Sequence, residues 1–285
     1  MNQPEAPCTD RHGTPSIIIF TDLDGTLLDS HTYSFAAADH ALNMLRSRGI
    51  PVVLVSSKTR SEIEPIRSRL GNHHPFIVEN GGAVLIPTAY FPFPIPNAMT
   101  TDRYFVIELG IPYEQLRQAL KRIAHELGTP LRGYGDMTVT EVAQRTGLSL
   151  EDAILSKQRD YDEPFIVENR SLPEPILAEA VTNHGLRWTK GDRFHHVMGD
   201  QDKGEAVRRL ITCYRQWAQH AHTTPTTFAL GNSLNDLPML TIVDIPILVQ
   251  LADGSYAAGI DLPRLIRAPA PGPAGWNHAV LSLLP

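Results

Sequence analysis

Asp22 and Asp24 lie two residues apart in TDLDGT, directly after the β-branched apolar run at residues 16–20. A strand ending this way brings both carboxylates to one pocket only if the chain turns sharply. Gly25 supplies the backbone freedom for that turn. One carboxylate so placed can attack a phosphoryl group and hold it as an aspartyl-phosphate. The second can protonate the leaving oxygen and afterwards deprotonate water. Two carboxylates alone would repel, so a divalent cation and a lysine are expected beside them. DxDG sequences also form calcium loops and plain turns, so the reading depends on finding those partners.

Three further segments offer them. Ser56 follows the apolar run VVLV, where a hydroxyl and neighbouring amides can grip phosphate oxygens. Ser57 and Lys58 continue that turn as candidate substrate contacts. Lys203 precedes a helical stretch and can neutralise phosphate and aspartates together. Asn232 and Asp236 in GNSLND can complete an oxygen-rich magnesium shell with Asp22 and Asp24, and Asn235 is a candidate substrate contact. The plain alternatives are helix caps for Ser56, Asn235 and Asp236, and a solvated surface lysine at 203.

The elements that must position these residues alternate. Short apolar runs at 16–20, 50–55, 76–78, 226–230 and 246–249 read as strands buried on both faces. Helical patterns at 35–48, 61–70 and 203–221 separate them. This predicts an α/β fold with a doubly wound, Rossmann-like parallel-sheet core. The proline-rich, aromatic segment 86–99 is no regular element and marks a boundary. The core is expected at residues 1–87 and 198–285, with an inserted α+β cap at 88–197.

Net charge is −6, with no basic stripe of the kind that nucleic acid requires. The N-terminus lacks a signal-peptide core and no apolar run approaches membrane-spanning length. These features predict a soluble, cytoplasmic protein. The two cysteines, Cys8 and Cys213, have neither CxxC nor metal-ligand spacing, so structural thiols are expected.

DLDGT, the serine at a strand end, the lysine ahead of a helix and GNSLND resemble, in that order, the four motifs of the haloacid-dehalogenase-like superfamily. SSKTR, VENGG, GYGDM, TGLSLEDA, KQRDYDEPF, WTKGDRFHHVMG and PGPAGW extend the likeness from Ile17 over nearly the whole chain. Together they resemble the mannosyl-3-phosphoglycerate phosphatase family. The resemblance implies a magnesium-dependent enzyme releasing mannosylglycerate from a phosphorylated sugar-glycerate. It makes Asp22 the nucleophile, Asp24 the general acid/base, Ser56 and Lys203 the phosphate grips, and Asp22, Asp24 and the Asn232 loop the metal site. That family usually carries aspartate where this chain has Asn232, which predicts weaker magnesium binding.

Other substrate contacts are expected at Glu79, Asn80 and Gly81, at Asp136 and Met137, at Arg159, Asp162 and Glu163, and at Arg193 and His195. Arginine suits a carboxylate and acids suit sugar hydroxyls; surface ion pairs and turns are the plain alternatives. His195 and His196 on a strand would face opposite sides, so at most one of them faces the pocket. A homodimer is compatible with this reading. Rival functions are a glucosyl-3-phosphoglycerate or hexose-phosphate phosphatase, a sugar phosphomutase or phosphotransferase, and a non-catalytic sugar-phosphate binder.

Overall fold

A computed structural model describes residues 14–168, 172–190, 194–219 and 223–284. The β-branched runs form the expected strands: β1 (Ile17–Thr21), β2 (Val52–Val55), β3 (Phe76–Val78), β4 (Ala83–Pro87), β5 (Met99–Thr100) and β6 (Tyr104–Glu108). A second group comprises β7 (Leu131–Gly133), β8 (Asp162–Val167), β9 (Arg187–Lys190) and β10 (His195–Met198). The last strands are β11 (Thr226–Gly231), β12 (Ile245–Gln250) and β13 (Ile266–Pro271).

Within the described residues, nine strands form one sheet in the order β13-β12-β11-β1-β2-β3-β4-β6-β5. β1 lies fourth from the β13 edge, parallel to both neighbours, with Thr21 level with Leu230 and Leu54. One face is covered by α1 (Asp39–Ser47), α2 (Arg60–Leu70) and α9 (Gly272–Leu283) around Leu23, Ile63 and Trp276. The other is covered by α7 (Lys203–Gln219) and α8 (Leu237–Ile242), packing Leu210 and Tyr214 against Phe20 and Val53. Both faces of the central strands are therefore dry, which is why those runs do not alternate.

The inserted module is a four-stranded antiparallel sheet, β7-β8-β10-β9. α3 (Tyr113–Leu127) and α6 (Glu174–Asn183) pack on one face. α4 (Val139–Thr146) and α5 (Leu150–Ser156) contribute Val142 and Ala153 to a smaller apolar cluster.

The module starts later than residue 88. β6 pairs antiparallel with β4, Ala83 opposite Glu108 through Pro87 opposite Tyr104, so residues 99–108 extend the large sheet. The proline-rich segment before them is core rather than boundary. Phe91 and Ile95 are buried, and Phe91 meets the Tyr214 ring edge-on, 5.1 Å between centroids.

Candidate active site

Asp22 continues the strand it follows, its N–H donating to the Leu230 carbonyl at 2.9 Å. Behind it, buried Trp276 donates Nε1–H to Thr21 Oγ1 at 3.0 Å, and that hydroxyl donates to the Asp22 carbonyl. Leu23 is fully buried in the apolar layer, which fixes the turn between the two aspartates. Gly25 takes φ +69°, and a Cβ there would collide with the Asn232 amide. The β1 turn and the β11 loop thus touch through a glycine.

Three charged side chains close the pocket floor. Lys203, at the first residue of α7 and 1% exposed, places Nζ 2.7 Å from Asp22 Oδ1 and 2.6 Å from Asp236 Oδ1. Gly204 lets this helix start lie against α8, since a Cβ would sit 2.6 Å from the Pro238 carbonyl oxygen. Burial pushes the Asp22 carboxyl up to about 7, Lys203 opposes this, and the Asp236 and Asp24 carboxylates add to it. The two buried carboxylates outweigh desolvation at Lys203 and raise its affinity for its proton. Asp236 has no free oxygen: Oδ2 accepts from the N–H groups of Asn232 and Ser233, at 2.9 and 3.1 Å. Asp236, expected as a metal ligand, anchors the loop and Lys203.

Asp24 is placed differently. Its side chain is 41% exposed, Oδ2 pairs with Lys58 Nζ at 3.0 Å, and Oδ1 is enclosed without a partner. Its carbonyl oxygen accepts from Asn232 Nδ2 at 3.1 Å. Ser56 is fully buried at the end of β2, its Oγ accepting from the Lys58 N–H. Ser57 is half-buried beside it. Among the described residues, no three His, Cys, Asp or Glu side chains are arranged to hold a metal ion. Asn232 meets the Asp24 main-chain carbonyl through its amide nitrogen, not its oxygen.

The description "haloacid dehalogenase-like hydrolase" fits residues 19–91, the stretch carrying Asp22, Asp24 and Ser56. A glucosyl-3-phosphoglycerate/mannosyl-3-phosphoglycerate phosphatase of Methanococcoides burtonii is 45% identical over 94% of this chain and 97% of that protein. The chain belongs to this phosphatase family. A mannosyl-3-phosphoglycerate phosphatase of Pyrococcus furiosus is 37% identical over 81% of this chain and 90% of its own length. The fold is shared with a crystal structure from Thermoplasma acidophilum. That pair has a TM-score of 0.63 and 16% identity, over 94% of this chain and 98% of the other.

The cap residues of this family member are less available than their types suggest. Asp162 and Glu163, expected at sugar hydroxyls, are both fully buried. Asp162 holds His196 Nδ1 at 2.9 Å and Arg159 at 3.0 Å. Glu163 accepts from the Tyr113 hydroxyl and the Gly135 N–H. Arg159 also donates Nε–H to the Ser156 carbonyl and lies 4.0 Å from Glu79. These groups tie the cap together, because buried charges are stable only when paired.

Met137 is buried in the cluster around Val142 and Phe194, and Asp136 pairs with Arg117 at 2.7 Å. His195 lies between the Phe165 and Trp188 rings, on the face away from Asp162, so His196 is the histidine on the Asp162 side. Arg193 lies outside the described residues.

On the core side, Glu79 accepts the N–H groups of Asp160 and Tyr161 from the cap, both at 2.9 Å. Asn80 accepts from Asn235 Nδ2 at 3.2 Å, and a Cβ on Gly81, at φ +98°, would strike the Asp202 carbonyl. Glu79 thus ties the large sheet to the cap, while Asn80, Gly81 and Asn235 hold core loops to one another. Two contributors escaped the sequence reading. Glu62, 4.0 Å from Lys58, is signalled by the capping box Thr59-x-x-Glu62. Tyr33, whose ring lies 5.2 Å from Lys58 Nζ, has no such sequence signal.

Proposed function

We propose that this chain hydrolyses the phosphate monoester of mannosyl-3-phosphoglycerate, releasing mannosylglycerate and phosphate in a cytoplasmic setting. One observation carries the reading: Asp22, at the end of β1, shares a buried lysine with Asp236 and has half-exposed Asp24 beside it. Lys203 favours the anionic form of Asp22 against its burial, and in that form an Asp22 oxygen attacks phosphorus in line. The P–O bond to the glycerate carbon chain breaks as the Asp24 carboxyl delivers its proton to the departing oxygen. Asp24, now a carboxylate, takes a proton from water. The resulting hydroxide attacks the phosphorus of the aspartyl-phosphate and releases phosphate, restoring Asp22. Ser56 and Lys203 hold the transferring oxygens throughout.

The all-oxygen set of Asp22, the Asp24 carbonyl and the Asn232 amide suits a hard cation such as magnesium. When bound there, the cation would offset the negative charge of aspartate and phosphate. For Asn232 to contribute, its amide must turn its oxygen inward and give up its bond to the Asp24 carbonyl.

Asp22→Asn should abolish phosphate release from mannosyl-3-phosphoglycerate while leaving the melting temperature near wild type; substantial turnover would overturn the assignment. The name of the Methanococcoides burtonii relative favours a second substrate, glucosyl-3-phosphoglycerate. Parallel phosphate-release assays on the two esters decide between one substrate and both.

A further inference from the structure

Two lysines touch the catalytic acids, and they are held in different ways. Lys203 spans two buried carboxylates and is enclosed. The Lys58 side chain is 12% exposed; its close partner is Asp24, with Glu62 a further 1 Å off at 4.0 Å. The other oxygen of Glu62 is engaged by the Thr59 N–H at 2.8 Å. Among the described residues of the cap, Arg159 is committed to Asp162, Arg117 to Asp136, and Lys157 to the carbonyls of Tyr134 and Met137.

Above Lys58 sits Tyr33, an aromatic residue at φ +54° and 40% exposed. Its loop is pinned by Asp29, which accepts from the N–H groups of His31 and Thr32 at 3.1 and 2.8 Å. A left-handed backbone at tyrosine costs energy and persists only where the surroundings impose it. Here the loop holds a ring over an ammonium group.

We propose that Lys58 is a specificity-determining residue that exchanges the Asp24 carboxylate for the carboxylate of the substrate's glycerate. This rests on the phosphatase reading above. In a 3-phosphoglycerate ester, the carboxylate carbon is three bonds from the ester oxygen that Asp24 protonates. A cation already bonded to Asp24 is therefore within reach of that carboxylate. The exchange keeps Lys58 paired throughout, so no buried charge is stranded, and it frees the Asp24 carboxyl to turn to the ester oxygen. A leaving group with a hydroxymethyl in place of the carboxylate offers no such exchange and meets an Asp24 still bound to Lys58. Discrimination thus comes from an attraction to one class of ester and a retained obstruction to the other.

The test compares 3-phosphoglycerate with glycerol 3-phosphate, which differ at that one group, in wild type, Lys58→Gln and Lys58→Arg. Wild type should prefer 3-phosphoglycerate, and Lys58→Gln should lower the ratio of kcat/KM values by about tenfold or more, the scale of one charge-assisted contact. The loss should appear mainly in KM for 3-phosphoglycerate, and Lys58→Arg should restore part of the ratio. Because the ratio is internal to each preparation, partial misfolding does not change it. A Lys58→Gln ratio within twofold of wild type, or a wild type without preference, overturns the proposal. Failure of wild type to release phosphate from mannosyl-3-phosphoglycerate and from both small esters would instead overturn the phosphatase reading.

Discussion

The large sheet and the cap use acidic side chains to opposite ends. Beyond β1 and β11, Asp22 and Asp236 converge on one lysine while Asp24 stays half open to the cleft. At the start of β8, Asp162 and Glu163 are sealed in and satisfied by Arg159, His196, Tyr113 and a main-chain N–H. Residue type is the same in both places. The ends of parallel strands leave a crevice where acids can face a ligand, whereas acids within an antiparallel sheet under helices must find internal partners.

The sharpest way to break this contrast is Lys203→Met. It strands two buried carboxylates, so stability should fall by about 3–5 kcal/mol in urea unfolding, and phosphate release should be lost. Adding Asp236→Asn should recover part of the stability and none of the turnover. A stable, active Lys203→Met would erase the distinction.

The cap counterpart is Arg159→Met. Asp162 keeps His196, so the cost should be smaller, about 2–3 kcal/mol, with turnover of a small phosphate ester retained. A fall in that turnover as deep as that of Lys203→Met would place Arg159 in the chemistry.

Asn232→Asp sharpens the core side. It removes the donor to the Asp24 carbonyl and adds a charge, so the metal-free protein should melt lower. Titration calorimetry should show magnesium binding about tenfold tighter. Unchanged affinity would discard a role for residue 232 in metal binding.

The smallest effect is a pH dependence. Burial pushes the Glu163 carboxyl up to about 7 from its ordinary 4.5, against its hydrogen bonds and Arg117. The folded protein therefore holds that proton where the unfolded chain has lost it. The resulting stability is full below about pH 4.5 and is lost as pH rises towards 7. Glu163→Gln should flatten that part of the melting-temperature profile between pH 5 and 7.5; an unaltered slope would contradict the assignment.

Much of the core was legible in the sequence because its information is local. A β-branched run followed by DLDGT, and others followed by Ser56 or GNSLND, place polar groups at strand ends whatever the distant chain does. Tyr104–Glu108 was misplaced because its partner is chosen by β4, across a proline-rich loop. The choice between His195 and His196 depends on register: Phe165 stands opposite His195 and Pro164 opposite His196. Charge alone did not reveal that Asp162 and Glu163 would be enclosed. The residue type of Asp236 suits a metal, but that its Oδ2 closes its own loop and its Oδ1 takes Lys203 depends on the fold.

Tyr161 stands where the chain passes between the two sheets. A Cβ on Gly82 would come 2.5 Å from its Cβ, and one on Gly110 would come 2.6 Å from it. Its hydroxyl donates to Glu108, and its carbonyl accepts from Gln201 on the return crossing. One residue thus acts as a spacer between the large sheet and the cap at this crossing. Gly82 and Gly110 flank Tyr161 so closely that a Cβ on either would meet the Cβ of residue 161 itself, and enlarging either glycine would push the chain at 161 aside. Altering how the cap sits on the large sheet would begin at this spacer.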